Sequence, residues 1–326
     1  MKNILVTGGT GFIGHHIVRY IFKNTDFNVI SLDRIDLSST INRLYEVVEE
    51  NEKWKKRLKI VWHDLKAPLG NAVIEKIGNV DYIFHLAAGS HVDRSVKDPV
   101  GFVMDNIVGT INLLEYARHH LKNLEVFLYF STDEVFGPAS NGVKFKENDR
   151  HNPRNPYSAT KSAAEQMCNA YFATYKIPVI TTHTMNVYGP RQSKEKFIPM
   201  VINRLKEGKK IQIHTNKEQT KSGSRHYLYA DDAAAAILFL SERATPGEKY
   251  NIASEYEVTN LQMAQTIAKI MDKELICEMV YPEDIRPGHD LRYSVSGEKV
   301  KNMGWKQKVT IEEGIERVVE WELQNA

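Results

Sequence analysis

Cysteine is almost missing from this chain. The two in 326 residues, Cys168 and Cys277, show neither CxxC spacing nor clustering with histidine. A disulfide framework and a cysteine-based structural zinc site are thereby set aside, and no metal is expected. An excess of charge of either sign is missing too. Lys plus Arg (43) balances Asp plus Glu (41) to a formal net charge of +2, so neither nucleic acid nor an anionic membrane is an expected partner. The basic cluster KWKKRLK at 53–59 reads as a solvated helix end. No apolar run approaches the length of a membrane span. The opening MKNILVTGG runs straight into an apolar strand, without the apolar stretch and small-residue cleavage site of a secretory leader. A reducing cytoplasm is the expected location.

What is present is apolar material in abundance: 42% hydrophobic residues can bury a sizeable core. The length exceeds what one compact core usually serves, so one large domain or two unequal ones is expected. ILVTGGTGFIGHHIVRYIF reads as a buried strand, a glycine turn and a helix with Ile13, Ile17 and Ile21 on one face. NVISLD reads as a second strand ending at Asp33, and LKIVWHD, VDYIFHLA, LEVFLYFST and IPVITTHTMNVYG as further strands. Helical stretches near 41–50, 101–119 and 158–175 lie between them. Such alternation predicts an α/β fold, a doubly wound parallel sheet covered on both faces. After Gly189 the pattern turns to helices and short mixed strands. Residues 1–184 are expected to form a dinucleotide-binding domain with a chain return around 228–253, and 185–326 a smaller mixed α/β substrate domain.

TGGTGFIG places Gly8, Gly11 and Gly14 between a strand and a helix. Glycine there permits the tight turn, lets the main chain approach a pyrophosphate and allows helix and strand to pack. Asp33 follows about 20 residues on, where a carboxylate can hydrogen-bond an adenosine ribose. That argues for NAD, because a 2′-phosphate would meet a negative charge. Arg34 blurs the preference, since a guanidinium could pair with that phosphate. His63-Asp64-Leu65, at the exit of the third strand, is placed to flank the adenine.

In NPYSATKSAAEQM, Tyr157 and Lys161 stand four apart and share a helix face. A nearby ammonium lowers a phenol's pKa and makes it usable as a base. In STDEVFG, Thr132 ends a buried strand at the same sheet edge, followed by the adjacent acids Asp133 and Glu134. By themselves these acids read either as a solvated turn or as a working acid and base.

Together these residues resemble the extended short-chain dehydrogenase/reductase superfamily, with its Rossmann fold. STDEVFG, HLAAGSHVDRSV, NPYSATKSAAE, NVYGPRQSKEKFIP, SRHYLYADD and RPGHDLRY are similar in order to the nucleotide-sugar 4,6-dehydratases, nearest the dTDP-glucose type. The resemblance implies a hydro-lyase with tightly bound NAD. It would oxidise a nucleotide-activated glucose at carbon 4, eliminate water across carbons 5 and 6, and return the hydride to carbon 6. Thr132 would orient the carbon 4 hydroxyl and Tyr157 take its proton. Lys161 would hold the nicotinamide ribose and tune that tyrosine, Asp133 would act as acid and Glu134 as base. Cofactor contacts are implied for Gly8, Gly11, Phe12, Ile13, Gly14, Asp33, Asp64, Leu65, Ala87, Tyr157 and Lys161. Substrate contacts are implied for Ser90, Asn186, Lys196, Arg225, Arg286 and His289. A homodimer through helices near 101–119 and 158–175 is also implied, with Met167, Tyr171 and Tyr175 on one compatible face.

Both acids together separate this pattern from 4-epimerases and decarboxylases of the superfamily, the rival readings. A nucleotide-sensing regulator on the same fold would not require all five of Thr132, Asp133, Glu134, Tyr157 and Lys161. Three features depart from the dTDP-glucose pattern: Gly89 stands where Glu is usual, His226 where Asp is usual, and HTNKEQTKSGS replaces a shorter turn. The nucleotide base therefore stays open among UDP, dTDP and CDP.

Overall fold

Short runs of apolar residues bounded by turns, such as Asn3–Thr7 with four consecutive buried positions, cannot satisfy both faces in water and so pair into a sheet. The computed structural model describes residues 1–36, 39–281 and 291–325. Seven parallel strands form the main sheet: β1 (Asn3–Thr7), β2 (Asn28–Asp33), β3 (Leu58–Trp62), β4 (Tyr82–His85), β5 (Val126–Thr132), β6 (Val179–Thr184) and β10 (Lys249–Ile252). Their order is β10-β6-β5-β4-β1-β2-β3. The chain winds outward in opposite senses from β1 and β4, and the crevice beyond their carboxyl ends is where such sheets bind ligands.

Helices cover both faces. On one, the helix Phe12–Asn24 buries Ile17, Val18, Ile21 and Phe22, each contributing about 1.5–3 kcal/mol. It packs against the helix Ala230–Arg243, whose Ala233, Ala234 and Ala236 present small side chains. On the other face, Leu113, Leu114 and Ala117 of the helix Gly109–His120 meet Ala164, Cys168 and Tyr171 of the helix Pro156–Tyr175. Asn155 caps the latter through a reciprocal box with Ser158, and Pro156 starts it, which fixes where Tyr157 and Lys161 stand.

The stretch read as one helix from 101 begins earlier and is interrupted. Asp98 caps a short helix at Pro99, and Met104–Val108 is a π-helical turn before the α-helix resumes. On that turn Asp105 lines the crevice, while Asn106 is buried against Gly89 and Thr160.

The remaining strands lie outside the main sheet. β7 (Asn186–Tyr188), β9 (Ser224–Tyr229) and β11 (Glu257–Thr259) form one small sheet; β8 (Ile211–His214) and β12 (Cys277–Val280) form another. They share a core with the helices Phe197–Lys206, Asn260–Ile270 and Ile311–Gln324. Among the described residues no helix is long and apolar enough to cross a membrane.

Candidate active site

A cavity of about 870 Å³ opens at the carboxyl edge of the sheet and runs under the small sheets. Its wall contains every sequence-predicted residue that the structure describes: the three glycines with Phe12 and Ile13, Asp33, Asp64, Leu65, Ala87, Ser90, Thr132, Asp133, Glu134, Tyr157, Lys161, Asn186, Lys196 and Arg225. Arg286 and His289 lie outside the described residues.

The glycine turn is a cradle that side chains would fill. Gly8 has a φ of +77°, and a Cβ on it would stand 3.0 Å from the Ala87 nitrogen; a Cβ on Gly14 would collide with the Gly8 carbonyl oxygen. Thr10 donates to Asp33 Oδ1 from its amide (3.1 Å) and its hydroxyl (2.7 Å), and Ser31 bonds the other oxygen. The carboxylate is thus fixed at the end of β2 beside the turn, as an adenosine ribose needs. Arg34 resolves differently from the sequence expectation. It forms a bidentate pair with Asp105 (2.6 and 2.8 Å) and reaches Asp64 at 3.2 Å. Held by these acids, it is committed elsewhere than to a 2′-phosphate, and the residues present fit NAD.

Deeper in the cleft, Lys161 donates to the Phe130 carbonyl at 2.6 Å and lies 4.3 Å from the centre of the Tyr129 ring. Burial lowers its pKa to about 8, against the pull of Cys168 and Glu165. Tyr157 is hydrogen-bonded to Thr132, yet burial first and Glu134 second push its phenol up. That corrects the expectation that the lysine leaves this phenol easily ionised: the ammonium is spent on a carbonyl, and desolvation dominates.

The two adjacent acids occupy different surroundings. Asp133 is 3% exposed, accepts from Thr132 Oγ1 at 3.2 Å, and has Oδ2 with no hydrogen-bond partner among the described residues. Burial, then repulsion from Glu134, raises its carboxyl to about 7. Glu134 is half-buried and accepts from Asn155 Nδ2 at 3.3 Å. A solvated turn is excluded by this geometry. Two adjacent carboxyls in such different surroundings, one of them raised by burial, are chemically equipped to serve as a proton donor and an acceptor.

Residues 5–318 match the family model described as GDP-mannose 4,6 dehydratase. The chain belongs to that family. An Escherichia coli dTDP-glucose 4,6-dehydratase is 37% identical, over 99% of this chain and 94% of the relative. The Bos taurus dTDP-D-glucose 4,6-dehydratase is 35% identical over 99% and 89%. Among solved structures, a dTDP-glucose 4,6-dehydratase from Streptomyces venezuelae with NAD bound superposes with a TM-score of 0.88 at 30% identity, covering 99% of this chain and 97% of that one. A Thermus thermophilus UDP-glucose 4-epimerase with NAD superposes at 0.87 and 26%, covering 99% and 100%. The Rossmann fold, the NAD cofactor and a hydro-lyase acting on a nucleotide sugar, all expected for this family from the motifs, are borne out.

Sequence reading missed several residues of this dehydratase cleft. Asn155, on the loop before its helix, reaches Glu134, and nothing but its capping position signals it. Asn106 brackets Gly89, accepting from its amide at 2.7 Å and donating to its carbonyl at 3.1 Å, and also donates to Thr160. Gly89 packs on the Phe102 ring, where a Cβ would come within 3.0 Å. His226 is buried, with Ser254 and Ser294 as partners of its two nitrogens. The long loop closes on itself through a bridge between Thr215 and Ser222, and Gln212 and His214 beside it line the cavity. Arg225 faces Tyr293 at 4.9 Å and donates to the Ser224 and Leu291 carbonyls. The face proposed for dimerisation is largely internal: Tyr171 bonds Glu115 at 2.7 Å, Met167 packs into the core, and Tyr175 alone of the three is exposed.

Proposed function

We propose that this cleft converts dTDP-glucose to its 4-keto-6-deoxy product, with Thr132, Asp133, Glu134, Tyr157 and Lys161 as the reacting set. The observation that carries the reading is the Asp133–Glu134 pair, one carboxyl buried and raised to about 7, the other half-buried and accepting from Asn155. The base thymine is supported by the relatives that bear that name at 35–37% identity.

Bound by the glycine turn and Asp33, NAD would supply the hydride acceptor for oxidation at carbon 4 and the donor for reduction at carbon 6. The chain's own groups move the protons. Thr132 and Tyr157 would flank the carbon 4 hydroxyl, and Tyr157 would receive its proton as the phenolate, a form that positive charge brought to the cleft with the cofactor and Lys161 must favour against burial. Once carbon 4 is a ketone, the carbon 5 proton is acidic and Glu134 removes it. Asp133, which burial raises to about 7, gives its proton to the departing carbon 6 hydroxyl so that it leaves as water. Glu134 then returns its proton to carbon 5 as the hydride is delivered to carbon 6, and the proton held by Tyr157 is released to reprotonate Asp133. Gly8, Gly11, Phe12, Ile13, Gly14, Asp33, Asp64, Leu65 and Ala87 would hold the dinucleotide; Ser90, Asn186, Lys196 and Arg225 would hold the sugar nucleotide, with Arg286 and His289 completing that set. Residues 1–184 with the return through β10 form the NAD-binding domain in this reading, and 185–326 the substrate domain. The enzyme acts in the cytoplasm as a homodimer, and the exposed Val96, Val100, Val103 and Met104 offer it an apolar face.

Incubation with UDP-, dTDP-, CDP- and GDP-glucose, read by product mass, tests reaction and base together. Loss of one water from dTDP-glucose alone is expected. An unchanged mass with altered stereochemistry would mean epimerisation instead, and loss of carbon dioxide from a uronic substrate would mean decarboxylation.

A further inference from the structure

Behind the reacting face lies a charged cluster that the reaction above does not use. Glu165 stands four residues beyond Lys161 and eight beyond Tyr157, on the same face of the helix Pro156–Tyr175. Its side chain is fully buried, a costly place for a carboxylate unless it is paired. It is paired from three adjacent strands. His183 Nε2 on β6 lies 3.0 Å from Oε2, Lys249 Nζ on β10 lies 2.8 Å from Oε1, and Ser131 on β5 donates to Oε2 at 3.2 Å. Ser131 and His183 are register partners, and Ser131 directly precedes Thr132. Asn251 on β10 accepts at 2.8 Å from His183 Nδ1, so both ring nitrogens face oxygen atoms. One carboxylate therefore ties the helix that carries Tyr157 and Lys161 to the strand that carries Thr132.

We propose that Glu165 is a positioning residue for this active site: pinned by His183, Lys249 and Ser131, it sets the seat of Lys161 and Tyr157 against Thr132. The inference rests on the assignment of Tyr157 and Lys161 made above. Glu165 itself is held at about 2, burial pushing it up but His183, Lys249 and His151 outweighing it, so it is ionised throughout the working range. Lys161 is faced by Cys168 on its own helix, by the Phe130 carbonyl and the Tyr129 ring on β5, and by His85 on β4; burial lowers its pKa, opposed by Cys168 and then by Glu165. Around Glu165 itself stand His151 before the helix, Ser131 on β5, His183 on β6, and Lys249 and Asn251 on β10.

His151, Glu165 and His183 bring potential ligand atoms within 4.8 Å of one another, which makes a metal ion the rival occupant. The Lys249 ammonium already sits on the carboxylate, which favours the positioning role.

The test compares NAD-loaded wild type with Glu165→Gln and with Glu165→Gln/Lys249→Met, which removes both charges of the pair. Both variants are expected to lose at least tenfold in kcat with dTDP-glucose at pH 7, with KM changed less than twofold. Displacement of Lys161 and Tyr157 from Thr132 is expected to slow the NADH transient of carbon 4 oxidation at least tenfold in stopped flow, with NAD still bound. The double variant is expected to recover melting temperature but not this transient; should the single variant fail to fold, the double one decides. If the double variant keeps wild-type kcat and the wild-type transient, Glu165 is only a structural ion pair and the proposal fails. Stoichiometric zinc in purified wild type, lost with activity on chelation, would also overturn it. Wild type that binds NAD yet makes no 4-keto product would instead defeat the proposed function, a distinct result.

Discussion

Asp133 and Glu134 are neighbours in the chain and opposites in environment: the first is 3% exposed, its Oδ2 without a hydrogen-bond partner among the described residues, and the second reaches partial solvent and accepts from Asn155. The 3-10 turn Asp133–Phe136, capped by the Thr132 hydroxyl, turns the two side chains into these different surroundings. In the reaction proposed above, this separates proton donor from proton acceptor without any change of residue class.

Asp133→Asn keeps the shape and removes the proton. Donor strength in the wild type is present below about pH 7 and lost above it, so kcat/KM for water loss falls as pH rises through 7. The Asn variant is expected to lack that limb and to eliminate water about 10²–10⁴-fold more slowly. Stability has the matching sign. A carboxyl raised on folding stabilises below its unfolded pKa and costs stability as pH climbs through its folded value, so Asp133→Asn should be the more stable protein at pH 8. The gain is on the order of a few kcal/mol and disappears toward pH 4, which melting curves at the two pH values will read.

Glu134→Gln preserves the contact with Asn155 but cannot accept a proton. Transient NADH from carbon 4 oxidation should still form, while deuterium exchange at carbon 5 stops and turnover falls about 10²–10⁴-fold. Wild-type exchange at carbon 5, followed by NMR, would assign the base elsewhere.

Tyr157→Phe acts one step earlier. Stopped-flow absorbance should show the NADH transient slowed about 10²-fold or more with NAD still bound. An unaltered transient would mean that Tyr157 is not the group that takes the hydroxyl proton.

Gly14→Ala tests the cradle. Its Cβ would collide with the Gly8 carbonyl, so the turn must open. The purified variant is expected to lose its copurifying NAD, as read by release on denaturation, and to be less stable by about 1–3 kcal/mol, read as a lower melting temperature.

Much of this was legible in the chain. The buried runs ending at Thr7, Asp33 and Thr132 could only be strands of a covered sheet, and the glycine spacing after Thr7 could only serve a close approach of backbone. That Tyr157 and Lys161 share a helix face follows from helical periodicity, and their role from the motifs around them; the reciprocal cap at Asn155 that fixes the helix start emerged only in the structure.

Other features required the fold. Arg34 is neutralised by Asp105, 71 residues away, on a π-helical turn that no local pattern announces. Tyr157 was expected to be eased toward ionisation by its lysine, but pKa depends on burial, and burial belongs to the whole cleft. The Glu165 cluster draws on four elements between residues 131 and 249 that are adjacent only because β10, β6 and β5 are neighbours in the sheet. Sequence by itself determined which groups are available and which lie on one face, because those depend on periods of two and 3.6 residues. Tertiary structure decided which of them are charged, because charge depends on solvent and on partners far along the chain.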